Sequence, residues 1–371
     1  MRVLHIVTGL ASGGAERQIQ LLIRHLPAHQ QCEVVALTNP GTVATALRAD
    51  GVTVHHLGMR GNRDLSALPR LVRLVRSGRY DLVHTHLYRA QLYGRLAARL
   101  AGVRAVVSTE HSLHAGVIEG RTVTRGVKGL YLAAERLGST TVAVSRQVAQ
   151  TLHSWGVPPG RVELIPNGID TARFRRPAAD RAAVRRRLRA ELGLPEQSWV
   201  IGGVGRLVPG KRFEVLVDAL AELDPASRLV LVGAGPERAA LERRAVDLGV
   251  RERMVLTGER EDVPDLLAAL DVLAAPSTAE TFGLGVLEGL AAGLPVRHSA
   301  CPALDELPPS AAPQARRIPS EAAAYAAALR DLRHLNDHTA DPLPHPPAVG
   351  HYDIARVAAD LSALYDRLAR A

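Results

Sequence analysis

The sequence predicts an α/β protein of two domains, each built around a parallel sheet. The chain has 371 residues, of which 47% are apolar and only 3% are aromatic. This length exceeds one ordinary domain, and Leu, Val and Ala must fill the cores, as is usual in parallel sheets. Short β-type segments alternate with longer amphipathic segments along most of the chain. This alternation is typical of a parallel sheet covered by helices on both faces.

The first predicted domain comprises residues 1–166. Its strands are expected at Val3–Val7, Glu33–Leu37, Thr53–Leu57, Leu82–Thr85, Ala105–Thr109, Thr141–Val144 and Val162–Ile165. Amphipathic segments such as Leu92–Leu100 and Ser145–Ser154 lie between most of them. Ligands of parallel sheets bind at the carboxyl ends of the strands, so the residues that follow each strand are candidates for function.

The second predicted domain comprises residues 167–350. It begins where the alternation breaks at Pro166–Asp170, and the Arg-rich stretch Arg173–Arg189 follows. The alternation then resumes with strands at Trp199–Val204, Arg228–Val232, Arg253–Thr257 and Val272–Ala275, and with helices at Phe213–Leu223 and Glu237–Leu248.

The C-terminal part of the chain is less regular. From Pro302 to Pro347 the sequence predicts an irregular stretch that contains one helix, Ser320–His334. Residues 351–371 have the spacing of an amphipathic helix.

Composition favours a cytoplasmic protein. Cys32 and Cys301 are the only cysteines, which gives no disulfide framework and agrees with a reducing compartment. No apolar segment of the sequence is long enough to cross a bilayer. Val3–Val7 leads directly into a glycine turn, which is not the pattern of a signal peptide.

The charge of the chain favours an anionic partner. The formal net charge is +9, and Lys128 and Lys211 are the only lysines among 46 basic residues. The arginine bias is typical of a GC-rich bacterial genome, and it makes the position of each lysine informative. Arginines spread along the chain and scarce aromatic residues argue against nucleic acid. A nucleotide diphosphate or a phospholipid surface remains as the anionic partner.

A glycine turn follows the first predicted strand and leads into a helix. Thr8–Glu16 contains Gly9, Gly13 and Gly14. A helix N-terminus of this kind offers backbone N–H groups to an anion. The spacing differs from the dinucleotide pattern G-x-G-x-x-G, which argues against a dehydrogenase. A tight turn without a ligand is the alternative interpretation.

Two cations bracket a Pro-Gly turn in the second domain. Arg206 and Lys211 follow the strand that ends at Val204. Two fixed cations close together suit a pyrophosphate and would stabilise negative charge on a leaving diphosphate. Two solvated surface charges are the alternative, and the scarcity of lysine favours function.

Two glutamates are separated by seven residues in the segment Pro276–Gly289. Glu280 precedes an aromatic-glycine turn, and Glu288 would lie one to two turns along a helix that begins near Gly283. This geometry directs backbone N–H groups of residues 282–285 at a phosphate. It also lets one carboxylate bind sugar hydroxyls and the other a ribose. A capping glutamate and an exposed helical glutamate are the alternative.

The segment resembles the Glu-x7-Glu signature of the retaining glycosyltransferases of family 4, which have the GT-B fold. Further stretches resemble the same family in the same order: Gly13–Glu16, Asp81–His86, Thr109–His111, Pro166–Asp170, Val204–Arg206 with Lys211, and Val232–Pro236. The similarity covers about the first 300 residues. It implies two Rossmann-like parallel-sheet domains that face a central cleft, with the C-terminal helix 351–371 packing back on the first domain.

The resemblance also implies roles for matching residues of the second domain. Arg206 and Lys211 would hold the donor diphosphate, Glu288 the ribose, and Glu280 the donor sugar. The backbone of Phe282, Gly283 and Leu284 would contact phosphate or sugar, and Leu256, Thr257 and Gly258 would surround the base.

In the first domain, the resemblance assigns His111 to the donor sugar and Gly14 to the phosphates. His84 and His86 are expected to have no more than a structural role. The catalytic group on this interpretation is His111, Glu280, Arg206 and Lys211.

The resemblance implies transfer with retention of anomeric configuration, with the leaving phosphate assisting deprotonation of the acceptor hydroxyl. The protein would position the substrates and stabilise charge on the diphosphate. The sequence contains no Asp-x-Asp pair and no His/Cys ligand pattern, so no metal and no cofactor besides the donor is expected.

One stretch departs from the family pattern. After Gly293–Val296, the family usually continues into a Gly-Gly-x-x-Glu loop, whereas this chain continues with Arg297–Glu306 and lacks the paired glycines. No contact of that loop is therefore transferred to this chain.

Residues 68–79 form a candidate membrane-contacting helix. Arg70, Arg73, Arg76 and Arg79 recur every third residue, with apolar residues opposite. Such a helix suits an anionic lipid surface on the inner face of a membrane and a lipid-linked acceptor. A sheet-covering helix with a solvated basic face is the alternative.

The substrates remain open at this point. We favour a UDP-linked hexose or N-acetylhexosamine over GDP-mannose as donor, and a natural product, a polysaccharide or a lipid-linked sugar as acceptor. A nucleotide-sugar epimerase of the same architecture and a non-catalytic nucleotide-sugar-binding subunit are the alternatives. The intact set of site residues argues against the latter.

Overall fold

The chain forms two compact units in a computed structural model. The structure describes residues 1–11, 13–61, 64–114, 116–119, 121–175, 177–335 and 342–370. The first unit comprises Met1–Gly168 and Tyr352–Ala371, and the second comprises Ile169–His351. Each unit is built around one parallel sheet, as the alternation of strand and helix patterns predicts.

The first unit contains a seven-stranded parallel sheet. The strands of the unit are β1 (Arg2–Val7), β2 (Gln31–Ala36), β3 (Thr53–His56), β4 (Leu82–His86), β5 (Ala105–Glu110), β6 (Leu113–His114), β7 (Val117–Ile118), β8 (Arg121–Thr122), β9 (Thr140–Ala143) and β10 (Val162–Leu164). The sheet order is β10-β9-β5-β4-β1-β2-β3, and β6, β7 and β8 form a small antiparallel sheet. The order reverses between β1 and β4, the point at which such sheets bind ligands.

Six helices connect these strands. They are α1 (Gly14–His25), α2 (Gly41–Ala49), α3 (Ala67–Gly78), α4 (Tyr88–Ala101), α5 (Arg125–Glu135) and α6 (Arg146–Trp155). Their ends follow local chemistry. The Ser145 hydroxyl accepts a hydrogen bond from the Val148 N–H and caps α6, and the C-cap residue of this helix is Gly156, with φ +104°.

Helix α3 contains most of the predicted membrane-contacting segment. Its apolar residues Leu71 and Val75 are buried in the core of the first unit. Arg70 and Arg76 lie on the exposed side and donate hydrogen bonds to the backbone carbonyls of neighbouring segments. The apolar side of this helix is therefore used by the fold, and its arginine side is what remains for a lipid surface.

The second unit contains a six-stranded parallel sheet. Its strands are β11 (Trp199–Val204), β12 (Ser227–Val232), β13 (Met254–Gly258), β14 (Val272–Ala275), β15 (Val296–His298) and β16 (Ala315–Arg317), in the order β13-β12-β11-β14-β15-β16. Its helices are α7 (Thr171–Phe174), α8 (Ala178–Glu191), α9 (Glu214–Ala221), α10 (Arg238–Asp247), α11 (Val263–Ala269), α12 (Leu284–Ala291), α13 (Pro302–Asp305), α14 (Ala322–Leu335) and α15 (Pro347–His351). The strand order reverses between β11 and β14.

The prediction of one helix within an irregular stretch at 302–347 was wrong in part. The structure has α13 and β16 there in addition to α14. Each added element has only three or four residues, which is too short to show a hydrophobic period. Residues 336–341 lie outside the described part of the chain.

The C-terminal helix belongs to the first unit. It is α16 (Ile354–Ala369), and the Asp353 carboxylate caps it by accepting a hydrogen bond from the Ala355 N–H at 2.9 Å. Ile354, Leu361 and Tyr365 are buried in the core of that unit. None of the helices in the described ranges has both the length and the hydropathy to cross a bilayer.

Candidate active site

The loop after β11 places Lys211 at the carboxyl end of the second sheet. Gly205 has φ +150°, and a Cβ atom at this position would lie 3.3 Å from Lys211 Cε. The absence of a side chain at Gly205 therefore leaves room for the lysine stem. A short 3-10 turn, Pro209–Lys211, then directs the chain into α9.

The loop after β14 places Glu280 beside Lys211. Lys211 Nζ lies 2.5 Å from Glu280 Oε1, and the two side chains are 31% and 18% exposed. The Ser277 hydroxyl donates a hydrogen bond to the Gly210 carbonyl at 3.0 Å and joins the two loops. Because β11 and β14 are neighbouring parallel strands, their following loops meet at the same edge of the sheet.

The start of α12 completes this edge. Gly283 is the N-cap residue of the helix and has φ +101°. Glu288 lies on the helix and is half-buried. The N–H groups of the first turn of a helix attract anions, so the helix start adds a partial positive charge beside Lys211.

Gly283→Ala should destabilise the second unit. An alanine here would need an unfavourable φ, and its Cβ would lie 2.5 Å from Cys301 Sγ. We expect a loss of about 2 kcal/mol, which corresponds to a fall in Tm of roughly 5 °C, measured by scanning calorimetry. Gly285→Ala is the matched control because its Cβ would make an ordinary contact of 3.7 Å with the Val204 carbonyl oxygen. An equal fall in both variants would contradict the role of the Gly283 backbone.

A small pocket lies between these loops. Its volume is about 30 Å³, and its lining includes Val204, Lys211, Phe213, Ser277, Glu280 and Gly285. A pocket of this size admits one chemical group rather than a whole nucleotide sugar. Lys211 and Glu280 are the charged side chains in its lining.

Arg206 is not among the residues that line this pocket. Its side chain is exposed, and its guanidinium makes no ion pair with another residue that the structure describes. The structure thus joins Lys211 to Glu280 but leaves Arg206 in solvent.

The predicted base-binding residues lie at the end of β13. Leu256, Thr257 and Gly258 are half-buried, and the Gly233 N–H donates a hydrogen bond to the Gly258 carbonyl at 2.9 Å. A Cβ atom on Gly233 would collide with the Gly205 carbonyl oxygen. Glycine at these positions therefore lets the loops after β11, β12 and β13 pack closely at one edge.

The remaining predicted residues, Gly14 and His111, belong to the first unit. Gly14 is exposed and is the first residue of α1. His111 follows β5 and is 6% exposed, and its Nε2 atom lies 3.2 Å from His86 Nδ1. Burial lowers the pKa of His111 to about 4, so its ring is neutral at pH 7.

Sequence reasoning missed a buried polar cluster around His111. Ligand nitrogen atoms of His5, His84 and His86 lie within 4.8 Å of one another, although the sequence showed no metal-ligand pattern. Both nitrogen atoms of His84 and of His86 lie within hydrogen-bond distance of protein atoms. The arrangement is therefore a hydrogen-bonded network. The available sequence signal was the pair at positions 84 and 86, which face the same side of a strand.

Glu110 is a second buried group that the sequence analysis did not assign. It is fully buried and accepts a hydrogen bond from the Gln91 amide at 3.1 Å. Burial raises the pKa of Glu110 to about 7, because the ionised carboxylate loses its hydration.

A larger cavity in the second unit contains none of the predicted site residues. Its volume is about 250 Å³, and its lining includes Phe174, Arg175, Arg181, Pro264 and His345. The Arg181 guanidinium donates to the Ala292 carbonyl, which is a structural contact at the end of α12.

The two units each contain a parallel sheet whose strand order reverses at one point. This architecture defines the class of the protein, the GT-B fold. HepE from Anabaena, solved in complex with UDP and glucose, aligns with a TM-score of 0.86 and 22% identity over 99% of each chain. WaaG, described as a glycosyltransferase involved in lipopolysaccharide biosynthesis, aligns with a TM-score of 0.70 and 19% identity over 99% of this chain and 98% of that one. The predicted fold class is confirmed.

The chain belongs to glycosyltransferase family 4. The family model described as "Glycosyltransferase Family 4" matches residues 12–173, and that described as "Glycosyl transferases group 1" matches residues 184–341. These two matches cover both units and confirm the resemblance seen in the sequence motifs.

Curated relatives that are named for different acceptors are similar to this chain in sequence. An α-1,3-galactosyltransferase from Escherichia coli, named for UDP-Gal and GlcNAc-diphosphoundecaprenol, is 32% identical over 240 residues, which is 63% of this chain and 61% of that protein. A 2-deoxystreptamine glucosyltransferase from Streptomyces kanamyceticus is 34% identical over 245 residues, 62% of each chain. A D-inositol 3-phosphate glycosyltransferase from Salinispora arenicola is 34% identical over 243 residues, 59% of this chain and 53% of that protein. The chain therefore matches about three fifths or less of the length of these relatives.

Proposed function

We propose that the protein is a retaining glycosyltransferase that moves a sugar from a nucleotide diphosphate sugar to a hydroxyl group of an acceptor. The observation that carries this proposal is the pairing of Lys211 with Glu280 at 2.5 Å, beside the start of α12. The pair lies where the strand order of the second sheet reverses, which is the usual ligand position in such sheets. Membership of family 4 supports the same assignment.

The ion pair is suited to exchange its partners for substrate. Lys211 and Glu280 are both partly exposed, so a substrate can reach them, and each can exchange its partner for a charged or polar group of the donor. Lys211 then binds the diphosphate together with the exposed Arg206, and Glu280 binds hydroxyl groups of the donor sugar.

Neighbouring groups hold the rest of the donor. The N–H groups at the start of α12, from residues 282–284, contact phosphate, and Glu288 binds the ribose. Residues 256–258 surround the base.

The first unit supplies His111 and Gly14 in this proposal. His111 contacts the donor sugar, and Gly14, at the start of α1, approaches the phosphates. The leaving phosphate accepts the proton of the acceptor hydroxyl, so the protein acts by positioning and by stabilising charge on the diphosphate. The reaction proceeds without a protein-bound metal.

Names of relatives support a choice of substrates. We propose a UDP-linked hexose or N-acetylhexosamine as donor, because UDP appears in the name of the Escherichia coli relative and in the HepE complexes. The acceptor is a natural-product core, a polysaccharide intermediate or a lipid-linked sugar. The named acceptors of the relatives, 2-deoxystreptamine and a diphosphoundecaprenol-linked sugar, fall in two of these three classes.

A transfer assay with defined donors tests the proposal. The protein is incubated with UDP-glucose, UDP-galactose, UDP-N-acetylglucosamine and GDP-mannose, each with and without a panel of acceptors, and products are analysed by NMR. We expect one donor to give an acceptor-dependent product with the anomeric configuration of the donor. Inverted product would contradict retention, and a new nucleotide sugar formed without acceptor would indicate the epimerase alternative. No product and no donor consumption across the panel would favour the non-catalytic alternative.

A further inference from the structure

A buried carboxylate precedes His111 in the chain. Glu110 is the last residue of β5 and is fully buried. His111 follows it directly at the carboxyl end of the first sheet, where ligands of parallel sheets bind. A carboxylate is rarely buried in this way unless protein groups replace its lost hydration. The hydrogen-bond partners of Glu110 therefore indicate its role.

The two carboxylate oxygens of Glu110 accept hydrogen bonds from different segments. Oε1 lies 3.2 Å from the Ser112 backbone nitrogen and 3.5 Å from Ser112 Oγ. Oε2 lies 3.1 Å from Nε2 of Gln91, a fully buried residue of α4. The same Nε2 atom lies 3.1 Å from the Thr109 carbonyl oxygen. Glu110 and Gln91 together therefore bind the chain on both sides of His111.

The turn that contains His111 depends on these side-chain contacts. β5 ends at Glu110 and β6 begins at Leu113, so His111 and Ser112 belong to neither strand. The Ser112 N–H therefore needs an acceptor outside a strand ladder, and the Glu110 carboxylate is that acceptor. Hydrogen bonds to an ionised carboxylate are about twice as strong as those between neutral groups, so the ionised form holds the turn more firmly.

We infer that Glu110 is a positioning residue for His111: its carboxylate, held in turn by Gln91, fixes the turn that presents the His111 ring to the donor sugar. This inference rests on the proposed function for the contact between His111 and the sugar. Glu110 acts through the backbone of the turn rather than on substrate. Because the second unit holds most of the donor on that proposal, loss of Glu110 should lower kcat more than it raises KM for the donor.

The charge of Glu110 changes near neutral pH. Burial raises its pKa to about 7, and the hydrogen bonds described above oppose this rise. Of the charged groups around it, the Glu119 carboxylate between β7 and β8 adds to the rise, and the Arg95 guanidinium of α4 opposes it. Tyr131 of α5 stays neutral because burial raises the pKa of its hydroxyl. The charge-assisted hydrogen bond from Ser112 is therefore present above pH 7 and is lost below it.

Carboxyl ¹³C and amide ¹H–¹⁵N spectra of the wild-type protein without substrate test this contact directly. We expect the Glu110 carboxyl signal, assigned with Glu110→Gln, to titrate with a midpoint near pH 7, and the Ser112 amide proton to shift with the same midpoint. Burial lowers the pKa of His111 to about 4, so its ring does not titrate in this range. A Ser112 amide that does not follow the Glu110 midpoint would overturn the inference. This readout needs no turnover, so its outcome is independent of the proposed transferase activity.

Gln91→Met tests the second support without changing Glu110. The substitution keeps a side chain of similar length but removes the amide that donates to Glu110 Oε2. Because this hydrogen bond favours the ionised carboxylate, we expect the midpoint of the Glu110 titration to move to higher pH. An unchanged midpoint would show that Gln91 does not hold the carboxylate.

The pH profile of kcat separates positioning from a purely structural role. Wild-type kcat should fall below pH 7, whereas Glu110→Gln, which cannot ionise, should lose this dependence and have a kcat about 10-fold lower at pH 8. The ionised carboxylate costs stability in the folded state, so the Tm of Glu110→Gln at pH 8 should not fall below that of the wild type. A Tm that falls together with kcat, or an acid limb that persists in this variant, would contradict the inference.

Glu135→Gln is the matched control for this substitution. Glu135 is 3% exposed in the same unit, but its carboxylate binds the Arg161 guanidinium at 2.8 Å and does not contact the turn. We expect this variant to keep the kcat of the wild type within about twofold and to keep its acid limb. Equal changes in both variants would show that loss of any buried carboxylate of the unit has this effect, and would overturn the specific role of Glu110.

Discussion

Lys211→Ala should lower kcat/KM for sugar transfer by a factor on the order of 10²–10³, the usual effect of removing one group that stabilises charge in a transition state. The substitution removes the lysine cation at the point where the strand order of the second sheet reverses, between β11 and β14. It also leaves Glu280, which is only 18% exposed, without its partner beside the proposed diphosphate position. Both effects disfavour negative charge on the leaving group. Steady-state kinetics with the donor identified by the transfer assay measure the loss.

Arg212→Ala is the matched control for this substitution. Arg212 is the next residue in the chain, is partly exposed, and forms a 3.4 Å ion pair with Glu214. We expect its kcat/KM to stay within about twofold of wild type, because exposed pairs contribute little. Equal losses in Lys211→Ala and Arg212→Ala would indicate general loss of basic charge, and no loss in Lys211→Ala would contradict the proposed donor site.

Acidification should unfold the first unit before the second. Burial lowers the pKa of four histidines in the first unit, namely His5, His84, His86 and His111. In the unfolded chain these rings titrate near 6.5, so below that pH the unfolded state binds more protons. Their contribution to stability is complete above pH 6.5 and is lost as the pH falls. Glu110 acts in the opposite direction, since burial raises its pKa to about 7 and its contribution is lost as the pH rises from about 4.5 to 7.

The net effect of these groups on the free energy of unfolding of the first unit is large compared with the total stability of a domain. The histidines outnumber the glutamate, so unfolding of the first unit takes up about three protons near pH 5.5, or about 4 kcal/mol per pH unit. Total stabilities are about 5–15 kcal/mol. In the second unit, burial lowers the pKa of His298 to about 4 and also lowers that of the less buried His345, which gives a weaker dependence.

Scanning calorimetry between pH 7.5 and 5 tests this expectation. The first unit should melt at progressively lower temperature, while the second changes less. His5→Gln should reduce the pH dependence by about one proton, and the exposed His153 gives a control, His153→Gln, that leaves it unchanged. Identical pH dependence of both units would contradict the assignment of the buried histidines as the cause.

The alternation of strands and helices was enough to predict both parallel sheets. It also placed Lys211 and Glu280 after strand ends, where ligands bind. Their direct contact was not predictable from the alternation, because it depends on β11 and β14 being neighbours, whereas two other strands separate them in the sequence. The resemblance to family 4 assigned both residues to one site before the strand order was known.

The buried cluster of His5, His84 and His86 could not have been predicted without the register of the sheet. His5 lies opposite His84, and His86 lies opposite Val7 and Thr109. A change of one residue in either register would turn the rings to opposite faces. The sequence shows the alternating pair His84 and His86, but not that a third strand brings His5 against them.

The role of the Arg-rich stretch Arg173–Arg189 is also visible only in the folded structure. Arg185 and Arg189 of α8 both bind Asp271, the residue immediately before β14. Arg189 also donates to backbone carbonyls at the end of α11 and before β11. These arginines therefore connect α8 to the sheet, whereas from composition alone they are indistinguishable from surface charge.

Binding of nucleoside diphosphates tests the proposal that the donor site lies where the strand order of the second sheet reverses, between β11 and β14. The melting temperature of the wild type and of Lys211→Ala is measured with UDP, GDP, ADP and dTDP. A ligand at 100 times its Kd stabilises the native state by about 2.7 kcal/mol. We predict that one nucleotide, UDP on our proposal, raises the Tm of the wild type and fails to raise that of Lys211→Ala. An equal increase in both proteins would contradict it.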